Sequence, residues 1–345
     1  MSSLWRRQQR EQREKEEQEL RKKLPPPPPP PLPSPPPPPP PPKPKRKITN
    51  FRFGVSFLPN ASKGGSHQFV LTLLQYLKNK CAYVDKKYDL LLVVADLYKS
   101  MPPKGVKVVQ RFDGCFYDHG YEPGGVRDVN QREMSKVADF VVYQSQYGKD
   151  TMEDRGIVNR DKPSAIIYNG VNRSIYPPIA HRLTPTLTIL SANNSRLRIK
   201  RVDRLNEFVG YGAKIIHLGQ THPSVVLDRN IQKLKPVSAE KLNNFFATSQ
   251  AFIHTGDKDT CPNVVIQALS TGLPIIYWRS SGGVPELAGN AGLAVEDYPS
   301  MKDLLQDLRD NYMTYHNNAL ERARLFDMRV IGQQYLDVMR GVLNE

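Results

Sequence analysis

The residues best able to do chemistry lie in the C-terminal third of the chain, in one polar loop and one glycine-rich turn. The loop contains Asp259 and leads into an apolar helix that opens at Asn263 and Val264. A buried strand follows, and Gly282 and Gly283 then precede a second helix. Because the first backbone N–H groups of a helix have no partner within it, both openings would direct N–H groups toward one sheet edge. This arrangement suits an anionic, polar ligand such as a nucleoside diphosphate.

A basic loop could supply the cations that such a ligand needs. Arg196 lies in a stretch rich in Ser and Asn, and Lys200 stands just before an amphipathic helix predicted over residues 202–209. A phosphate beside Lys200 would also meet the unpaired N–H groups at the start of that helix. The alternative is an ordinary solvated basic loop, in which Arg198 could take the role of Arg196.

Two further positions follow predicted strands in the first half of the chain. Gly64 and Gly65 come after the first predicted strand, where glycines let the backbone approach a diphosphate or an acceptor closely. A turn that caps a helix is the alternative for this pair. Asp113 also follows a predicted strand and could bond to an acceptor or a transferred sugar, or it could simply form a turn before Gly114.

Short β-rich runs alternate with helical stretches from Ile48 onward, which is typical of parallel α/β sheets. The first group of predicted strands covers residues 53–58, 90–94, 106–110, 140–144 and 165–168. The second group, after Pro177 and Pro178, covers residues 187–191, 214–218, 251–254, 274–278 and 292–295. Helices are predicted from residue 64 and over 131–137, 147–154, 202–209, 239–247, 264–270, 301–312 and 330–343.

This pattern predicts an α/β protein with two successive parallel sheets. We expect a tail over residues 1–47, one domain over 48–178 and a second domain over 185–328. A last helix within 329–345 would pack on the second domain or cross back to the first. Ligands bind beyond the carboxyl ends of the strands in such open sheets, so two sheets can enclose a cleft.

The N-terminal tail has a different composition. Residues 1–47 contain twelve Lys and Arg and five Glu, which accounts for much of the net charge of +15, and seventeen of the 31 prolines lie in residues 25–44. We expect a disordered, charged segment followed by an extended polyproline II tract. The tract would act as a spacer or bind an SH3- or profilin-like partner.

Composition also narrows the class of protein. No nucleic-acid-binding signature accompanies the basic charge, so nucleic acid is not an expected partner. Cys81, Cys115 and Cys261 show no metal-ligand spacing, and their small, odd number favours free thiols in a reducing compartment. No apolar run is long enough to span a membrane, and the N-terminus lacks the core of a signal peptide. We therefore predict a cytoplasmic protein with no metal site and no transmembrane segment.

Motifs in register along residues 50–345 resemble the retaining glycosyltransferases of family 4. They are the glycine pair, the segments 138–145 and 166–172, the segment 200–203, and the motifs of residues 259–267 and 282–286. The resemblance implies the GT-B fold, in which two Rossmann-like domains with parallel sheets face each other across a central cleft. It also implies that the second domain binds a nucleotide-sugar donor and the first domain an acceptor.

The resemblance implies roles for single residues. Lys200 and Arg196 would stabilise the charge on the leaving diphosphate, and Asp113 would contact the acceptor or the sugar. The two acids of the family's E-x7-E motif correspond here to Asp259 and Gln267, which would lie near the transferred sugar and the ribose hydroxyls. Further contacts with the nucleotide sugar are expected from Gly64, Gly65, Asn263, Val264, Gly282, Gly283 and Glu286. Gln267 could instead face solvent, and Glu286 could merely complement the dipole of its helix.

The function implied is transfer of a sugar from a nucleoside diphosphate sugar to a glycan, a glycoprotein or another hydroxyl acceptor. Configuration would be retained, and no metal ion or other cofactor would be needed, because cations and backbone dipoles can compensate the leaving group. One alternative, favoured by the D-x7-Q departure, is a non-catalytic GT-B scaffold that binds a sugar or a nucleotide. The other alternative is a different GT-B reaction, such as epimerisation or phosphorolysis.

Overall fold

The computed structural model describes residues 51–60, 65–95, 102–116 and 124–344. The predictions for the charged and polyproline tail and for Gly64 lie outside these ranges. Within them the chain forms two parallel six-stranded sheets with helices packed on them, so the predicted α/β class with two successive sheets is confirmed. We call the part built on the first sheet the N-terminal lobe and the part built on the second sheet the C-terminal lobe.

The sheet of the N-terminal lobe has the strand order β2-β1-β3-β4-β5-β6. Its strands are β1 (Arg52–Val55), β2 (Ala82–Tyr83), β3 (Leu90–Val94), β4 (Lys107–Arg111), β5 (Phe140–Tyr143) and β6 (Ser164–Ile166). The helices of this lobe are α1 (Gly65–Leu77), α2 (Gly124–Val137) and α3 (Gln146–Asp154). All five residues of β3 are buried, as expected for an apolar parallel strand that is covered on both faces.

The sheet of the C-terminal lobe has the order β12-β11-β10-β7-β8-β9. Its strands are β7 (Thr188–Asn193), β8 (Lys214–Gly219), β9 (Ile231–Leu234), β10 (Ala251–His254), β11 (Ile275–Tyr277) and β12 (Gly292–Ala294). The helices that follow β9 in the chain are α4 (Ala239–Ala247), α5 (Asn263–Thr271), α6 (Val284–Ala288), α7 (Met301–Asp310), α8 (Tyr312–Arg322) and α9 (Met328–Asn344).

Four groups of elements differ from the sequence prediction. The helix predicted over residues 131–137 is longer and begins at Gly124. The helix predicted over residues 202–209 is a 3-10 helix, Val202–Phe208, which Arg201 separates from another 3-10 helix, Arg198–Lys200. Arg201 has a φ of 42°, a left-handed conformation that interrupts a right-handed helix. Residues 301–312 split at Asn311, whose ψ of 18° ends α7. The edge strands β2 and β9 were missed because they are mostly exposed and carry no buried apolar run.

The last helix, α9, packs against α1 of the N-terminal lobe. Its residues Ile331, Tyr335 and Met339 are buried in the same apolar core as Phe69. The ring centroids of Phe69 and Tyr335 are 5.2 Å apart, and the hydroxyl of Tyr76 donates to Oε1 of Gln333 over 3.0 Å. The chain thus returns from the C-terminal lobe to the N-terminal lobe before it ends.

Gly332→Ala is expected to weaken the docking of α9. A Cβ at Gly332 would lie 2.2 Å from Cδ1 of Tyr76, so the ring or the helix would have to move. Overpacking of this kind costs about 1–3 kcal/mol, which should appear as a lower thermal midpoint. Gly341→Ala on the same helix is the control, since its Cβ would meet nothing within 4 Å. Equal midpoints for the two variants would contradict the prediction.

Because three histidines are buried, we expect the free energy of unfolding to fall at acidic pH. Burial lowers the pKa of His181, His217 and His254 from 6.5 to about 4. Between pH 6.5 and 4 the unfolded chain therefore binds protons that the folded chain does not. The contribution to stability is complete above pH 6.5 and is lost as the pH falls through this window.

Each of these histidines would contribute a slope of up to about 1.4 kcal/mol per pH unit. Urea unfolding at pH 7.5 and pH 5.0 measures the effect, and His217→Gln should reduce the difference between the two free energies of unfolding. If wild-type protein unfolds with the same free energy at both pH values, the prediction is wrong.

Candidate functional site

Lys200 and Asp259 form an ion pair at the carboxyl end of the second sheet. Nζ of Lys200 donates to Oδ2 of Asp259 over 2.7 Å, and 24% and 16% of the two side chains are exposed. Lys200 lies in the segment after β7 and Asp259 in the loop after β10, and these strands are neighbours in the sheet. The carboxyl ends of neighbouring parallel strands meet at one edge, which brings together two residues 59 positions apart.

A second group of charges holds the segment 255–262, which we call the acidic loop. Asp257 accepts hydrogen bonds from Nη1 of Arg204 over 2.6 Å and from the hydroxyl of Ser280 over 2.5 Å. Arg204 also donates to the carbonyl of Thr255 over 2.8 Å, while the hydroxyl of Thr255 donates to the carbonyl of Lys200 over 2.7 Å. Sequence reasoning missed Arg204 and Asp257, since their only signal is charge beside motif residues.

The first turn of α1, in the N-terminal lobe, contacts the first turn of α5, in the C-terminal lobe. Nδ2 of Asn263, at the start of α5, donates to the carbonyl of Gly65, at the start of α1, over 3.5 Å. Pro262 precedes α5 without a side-chain cap, and neither helix has an acid in its first turn. The N–H groups of Asn263 and Val264 can therefore meet an anion. Gln267, one turn further along, is half-buried, and its side chain bonds to no other residue that the structure describes.

Gly282 and Gly283, which we call the glycine turn, lie against the acidic loop. The N–H of Gly283 donates to the carbonyl of Asp259 over 2.8 Å, and Gly282 forms a β-bridge with the same residue. Gly282 has a φ of 74°, a conformation that favours glycine. A Cβ at Gly283 would lie 2.1 Å from the carbonyl oxygen of Thr260 and 3.0 Å from Oγ of Ser145. The first glycine is thus required by backbone conformation and the second by close approach.

Glu286 lies on α6, close behind the glycine turn, but its carboxylate contacts the N-terminal lobe. Both carboxylate oxygens accept from the backbone N–H of Gln146, the first residue of α3, over 3.0 and 2.9 Å. Oε1 also accepts from the hydroxyl of Tyr168 over 2.7 Å. The structure therefore places Glu286 at the boundary between the lobes and not in the contacts of Lys200.

Asp113 lies at the same boundary within a group of donors. Its carboxylate accepts hydrogen bonds from Oγ of Ser66, from the guanidinium of Arg111 and from Nε2 of Gln144, the last over 2.9 Å. Its carbonyl accepts from the hydroxyl of Thr260 over 3.2 Å. This arrangement gives Asp113 a structural task between β4, α1 and the acidic loop, and its contact with a sugar or acceptor stays a prediction.

Arg111 is the buried centre of this boundary, with 1% of its side chain exposed. Nη2 of Arg111 donates to Oδ1 of Asn169 over 2.6 Å, and Nδ2 of Asn169 donates to the carbonyl of Cys261 over 2.8 Å. The guanidinium also lies 4.1 Å from the ring centroid of Phe69. A hydrogen-bonded path thus runs from β4 to the acidic loop. Sequence reasoning missed Arg111 and Asn169, because their partners are 58 and 92 positions away.

Arg196 lines a groove beside β8 and β9. Its Nε donates to Oε1 of Gln220 over 2.8 Å, and the groove has a volume of ≈ 540 Å³. Lys233 and Lys235 also line it, whereas none of its lining residues is acidic. Three cations without a compensating acid suit a polar or anionic ligand. The two lysines were missed because nothing in their spacing marks them.

Other features of the described residues limit the chemistry of the protein's own side chains. Among residues 51–60, 65–95, 102–116 and 124–344, no three His, Cys, Asp or Glu side chains are grouped so as to hold a metal ion. The helices within the same ranges are too short or too polar to cross a membrane. Burial raises the pKa of Cys81 to about 11 and that of Cys261 to about 12, which makes both thiols poor nucleophiles.

Comparison with known sequences identifies part of the C-terminal lobe. Residues 190–311 match the family described as Glycosyl transferases group 1. The matched segment contains the Lys200–Asp259 pair, α5 and the glycine turn. A search of curated protein sequences finds no match to this chain.

Three solved structures share the arrangement of both lobes. Sucrose-phosphate synthase from Thermosynechococcus elongatus has a TM-score of 0.69 and 14% identity, over 84% of this chain and 98% of that chain. The Anabaena protein HepE, in complex with UDP and glucose, has a TM-score of 0.64 and 12% identity, over 85% and 100%. WaaG, a glycosyltransferase involved in lipopolysaccharide biosynthesis, has a TM-score of 0.57 and 12% identity, over 83% and 98%.

These comparisons support the resemblance found in the sequence motifs at the level of GT-B glycosyltransferases, whereas membership of family 4 and retention of configuration stay predictions. The likeness to solved structures establishes the GT-B fold over both lobes. The family match assigns a glycosyltransferase domain to residues 190–311, and the predicted class of enzyme, a glycosyltransferase, is thereby confirmed.

Proposed function

We propose that this chain, which carries a glycosyltransferase domain, transfers a sugar from a nucleoside diphosphate sugar to an acceptor hydroxyl with retention of configuration. The Lys200–Asp259 pair is the observation that carries the proposal. The acidic loop that holds Asp259 leads directly into the uncapped first turn of α5 and bonds to the glycine turn. The ammonium group of Lys200 and the backbone N–H groups at the start of α5 therefore lie in the same part of the cleft, where an anion could bind.

The leaving group sets the main demand on the site. When the bond between the anomeric carbon and the diphosphate breaks, its electron pair leaves with the diphosphate, which gains negative charge. Positioned cations and backbone dipoles stabilise such charge without reorganising. In the proposed reaction, Nζ of Lys200 binds the diphosphate, and the N–H groups of Asn263 and Val264 add their dipoles. No metal ion or other cofactor takes part in this scheme.

The acceptor hydroxyl attacks the face of the sugar that the diphosphate leaves, and a phosphate oxygen of the donor takes its proton. This scheme needs no carboxylate as nucleophile or base. Both candidate acids already interact with other side chains, which agrees with this scheme: Asp259 is paired with Lys200, and Asp113 accepts hydrogen bonds from three side chains. The task of the protein is then to orient the two substrates and to stabilise the diphosphate.

We assign the nucleotide to the groove lined by Arg196, Lys233 and Lys235, so that Arg196 also meets the diphosphate, and we assign one ribose hydroxyl to the amide of Gln267. Structures of HepE are described in complex with UDP and glucose and with UDP-glucose. Uridine diphosphate hexoses are therefore the first donors to test. The acceptor, a glycan, a glycoprotein or another hydroxyl compound, is assigned to the N-terminal lobe.

The test begins with ligand binding. Thermal stability of wild-type protein and of Lys200→Ala is measured with UDP, GDP, ADP, CMP and their sugars. A ligand at about 100 times its dissociation constant should stabilise the fold by about 2.7 kcal/mol. Each donor that binds is then incubated with candidate acceptors, and the released diphosphate and the glycosylated product are quantified. Binding of one donor, lost in Lys200→Ala and accompanied by both products, supports the proposal.

Other outcomes separate the alternatives. Binding without release of the diphosphate, whatever the acceptor, would indicate a sugar- or nucleotide-binding scaffold. A sugar that changes while it stays attached to its nucleotide would indicate epimerisation. If no nucleotide or donor shifts the stability of well-folded protein, the proposal is wrong. The cytoplasmic location and an SH3- or profilin-like partner for the proline tract stay predictions from the sequence.

A further inference from the structure

The carboxylate of Glu286 reaches from one lobe to the other. Both of its oxygens accept from the N–H of Gln146, at the start of the nine-residue helix α3, and one also accepts from Tyr168. Ser145 caps the same helix from within the N-terminal lobe, through a bond to the N–H of Gly148. The negative charge of Glu286 therefore lies at the positive end of the α3 dipole.

The short helix α6 connects this contact to the glycine turn. The N–H of Leu287 donates to the carbonyl of Gly283 over 3.0 Å, and Nε of Arg322 donates to the carbonyl of Leu287 over 3.0 Å. Gly283 in turn donates to the carbonyl of Asp259. Because α6 spans five residues and is held at both ends, a displacement of Glu286 must also displace the glycine turn.

Tyr168 is well placed to be the partner in the N-terminal lobe. Its hydroxyl donates to Glu286 over 2.7 Å, and its ring meets that of Phe326 edge to face, with centroids 5.3 Å apart. Burial, together with the charge of Glu286, raises the pKa of Tyr168 well above its ordinary value. The hydroxyl thus keeps its proton and remains a donor to the carboxylate.

We propose that Glu286 is a positioning residue that ties the glycine turn of the C-terminal lobe to α3 and Tyr168 of the N-terminal lobe. It thereby sets the distance between a donor on the C-terminal lobe and an acceptor on the N-terminal lobe. This inference rests on the proposed function and assigns Glu286 a task other than contact with the donor. If the lobes separated, the carboxylate would lose its hydrogen bonds to Gln146 and Tyr168 and its favourable interaction with the α3 dipole. These interactions therefore favour the arrangement in which the two lobes are in contact.

The test compares variants from both sides of the contact. Glu286→Gln keeps the shape of the side chain but removes its charge. Tyr168→Phe removes the hydroxyl that donates to this carboxylate from the N-terminal lobe. Glu296→Gln is the matched control, because both oxygens of Glu296 accept from the N–H of Arg279 over 3.1 Å within the C-terminal lobe. If Glu286→Gln fails to fold, Tyr168→Phe and Glu286→Asp test the same contact.

Two readouts decide the outcome. Spin labels at the exposed positions Lys136→Cys and Lys302→Cys report the distance between the lobes. We expect Glu286→Gln and Tyr168→Phe each to broaden that distance distribution and to lower kcat about tenfold, as misplaced substrates do, with less than about a twofold change in donor KM. The double variant should lose less than the product of the two single losses, because the charge of Glu286 and the hydroxyl of Tyr168 act in one shared contact. Glu296→Gln should match wild type.

The inference is overturned if the distance distribution is unchanged in Glu286→Gln and in Tyr168→Phe. It is also overturned if Glu286→Gln raises the donor KM at constant kcat, which would indicate direct contact with the donor. If no protein, wild type included, transfers a sugar, the proposed function fails on its own account. The distance measurement still decides whether Glu286 holds the lobes together.

Discussion

Lys200→Ala should lower kcat/KM for sugar transfer by about a thousandfold, equivalent to about 4 kcal/mol of transition-state stabilisation. The ammonium group is the cation proposed to meet the leaving diphosphate, and removal of a single positioned donor already costs about a hundredfold to a thousandfold in comparable sites. The variant also removes the ion pair between Lys200 and Asp259, so the carboxylate of Asp259, 16% exposed, would repel the diphosphate. Steady-state rates with labelled donor, together with donor titration, measure the effect.

Two further variants separate this role from general loss of positive charge. Arg198→Ala removes an exposed cation from the same 3-10 helix, and we expect it to stay within about threefold of wild type, as a solvated surface charge should. Lys200→Ala combined with Asp259→Asn removes the repulsion and should recover part of the donor affinity. Lys200→Ala with more than a tenth of wild-type activity would exclude Lys200 as the main stabiliser of the diphosphate.

Gly283→Ala is expected to disrupt the site through packing. The added Cβ would lie 2.1 Å from the carbonyl oxygen of Thr260, a backbone atom that cannot rotate away, and 3.0 Å from Oγ of Ser145. Either the acidic loop or α6 must then shift by about 1 Å to relieve this contact. Because Gly283 also bonds to Asp259, that shift reaches the Lys200 pair. We expect a loss of about 2–3 kcal/mol in the free energy of unfolding and about a hundredfold loss in transfer.

The matched control for this substitution is Gly125→Ala, because a Cβ at Gly125 would meet nothing within 4 Å. It should unfold and transfer sugar like wild type. Urea unfolding and initial rates on the same preparations give both quantities. A Gly283→Ala protein that binds and transfers with wild-type constants would mean that the glycine turn is loosely packed and not part of the donor site.

Much of the fold could be predicted from local pattern. The apolar run of β3 and the helical spacing of α4 predicted both elements with their observed ends, Leu90–Val94 and Ala239–Ala247. Both depend on periodicity within about ten residues, which the sequence shows directly. The 3-10 helices around Arg201 were not predictable in this way, because a single left-handed residue changed the type of helix.

The candidate site was only partly predictable. The motif around Asp259 indicated a loop that opens a helix, and the glycine turn indicated a second helix start, as the structure has them. Sequence reasoning did not reveal that Lys200 pairs with Asp259, that Arg111 lies buried at the lobe boundary, or that Glu286 contacts α3. These contacts join segments 59, 58 and 140 positions apart.

The sequence by itself determined the buried strands, most of the longer helices and the motifs that resemble glycosyltransferases. Each of these follows from residue type and short spacing. Only the tertiary structure decided which charged side chains form ion pairs with one another and which lobe each acidic side chain contacts. Such contacts depend on how the two sheets and the returning helix α9 are placed relative to one another. The sequence around Glu286 has no local feature that distinguishes a contact with the neighbouring lobe from a contact with a donor.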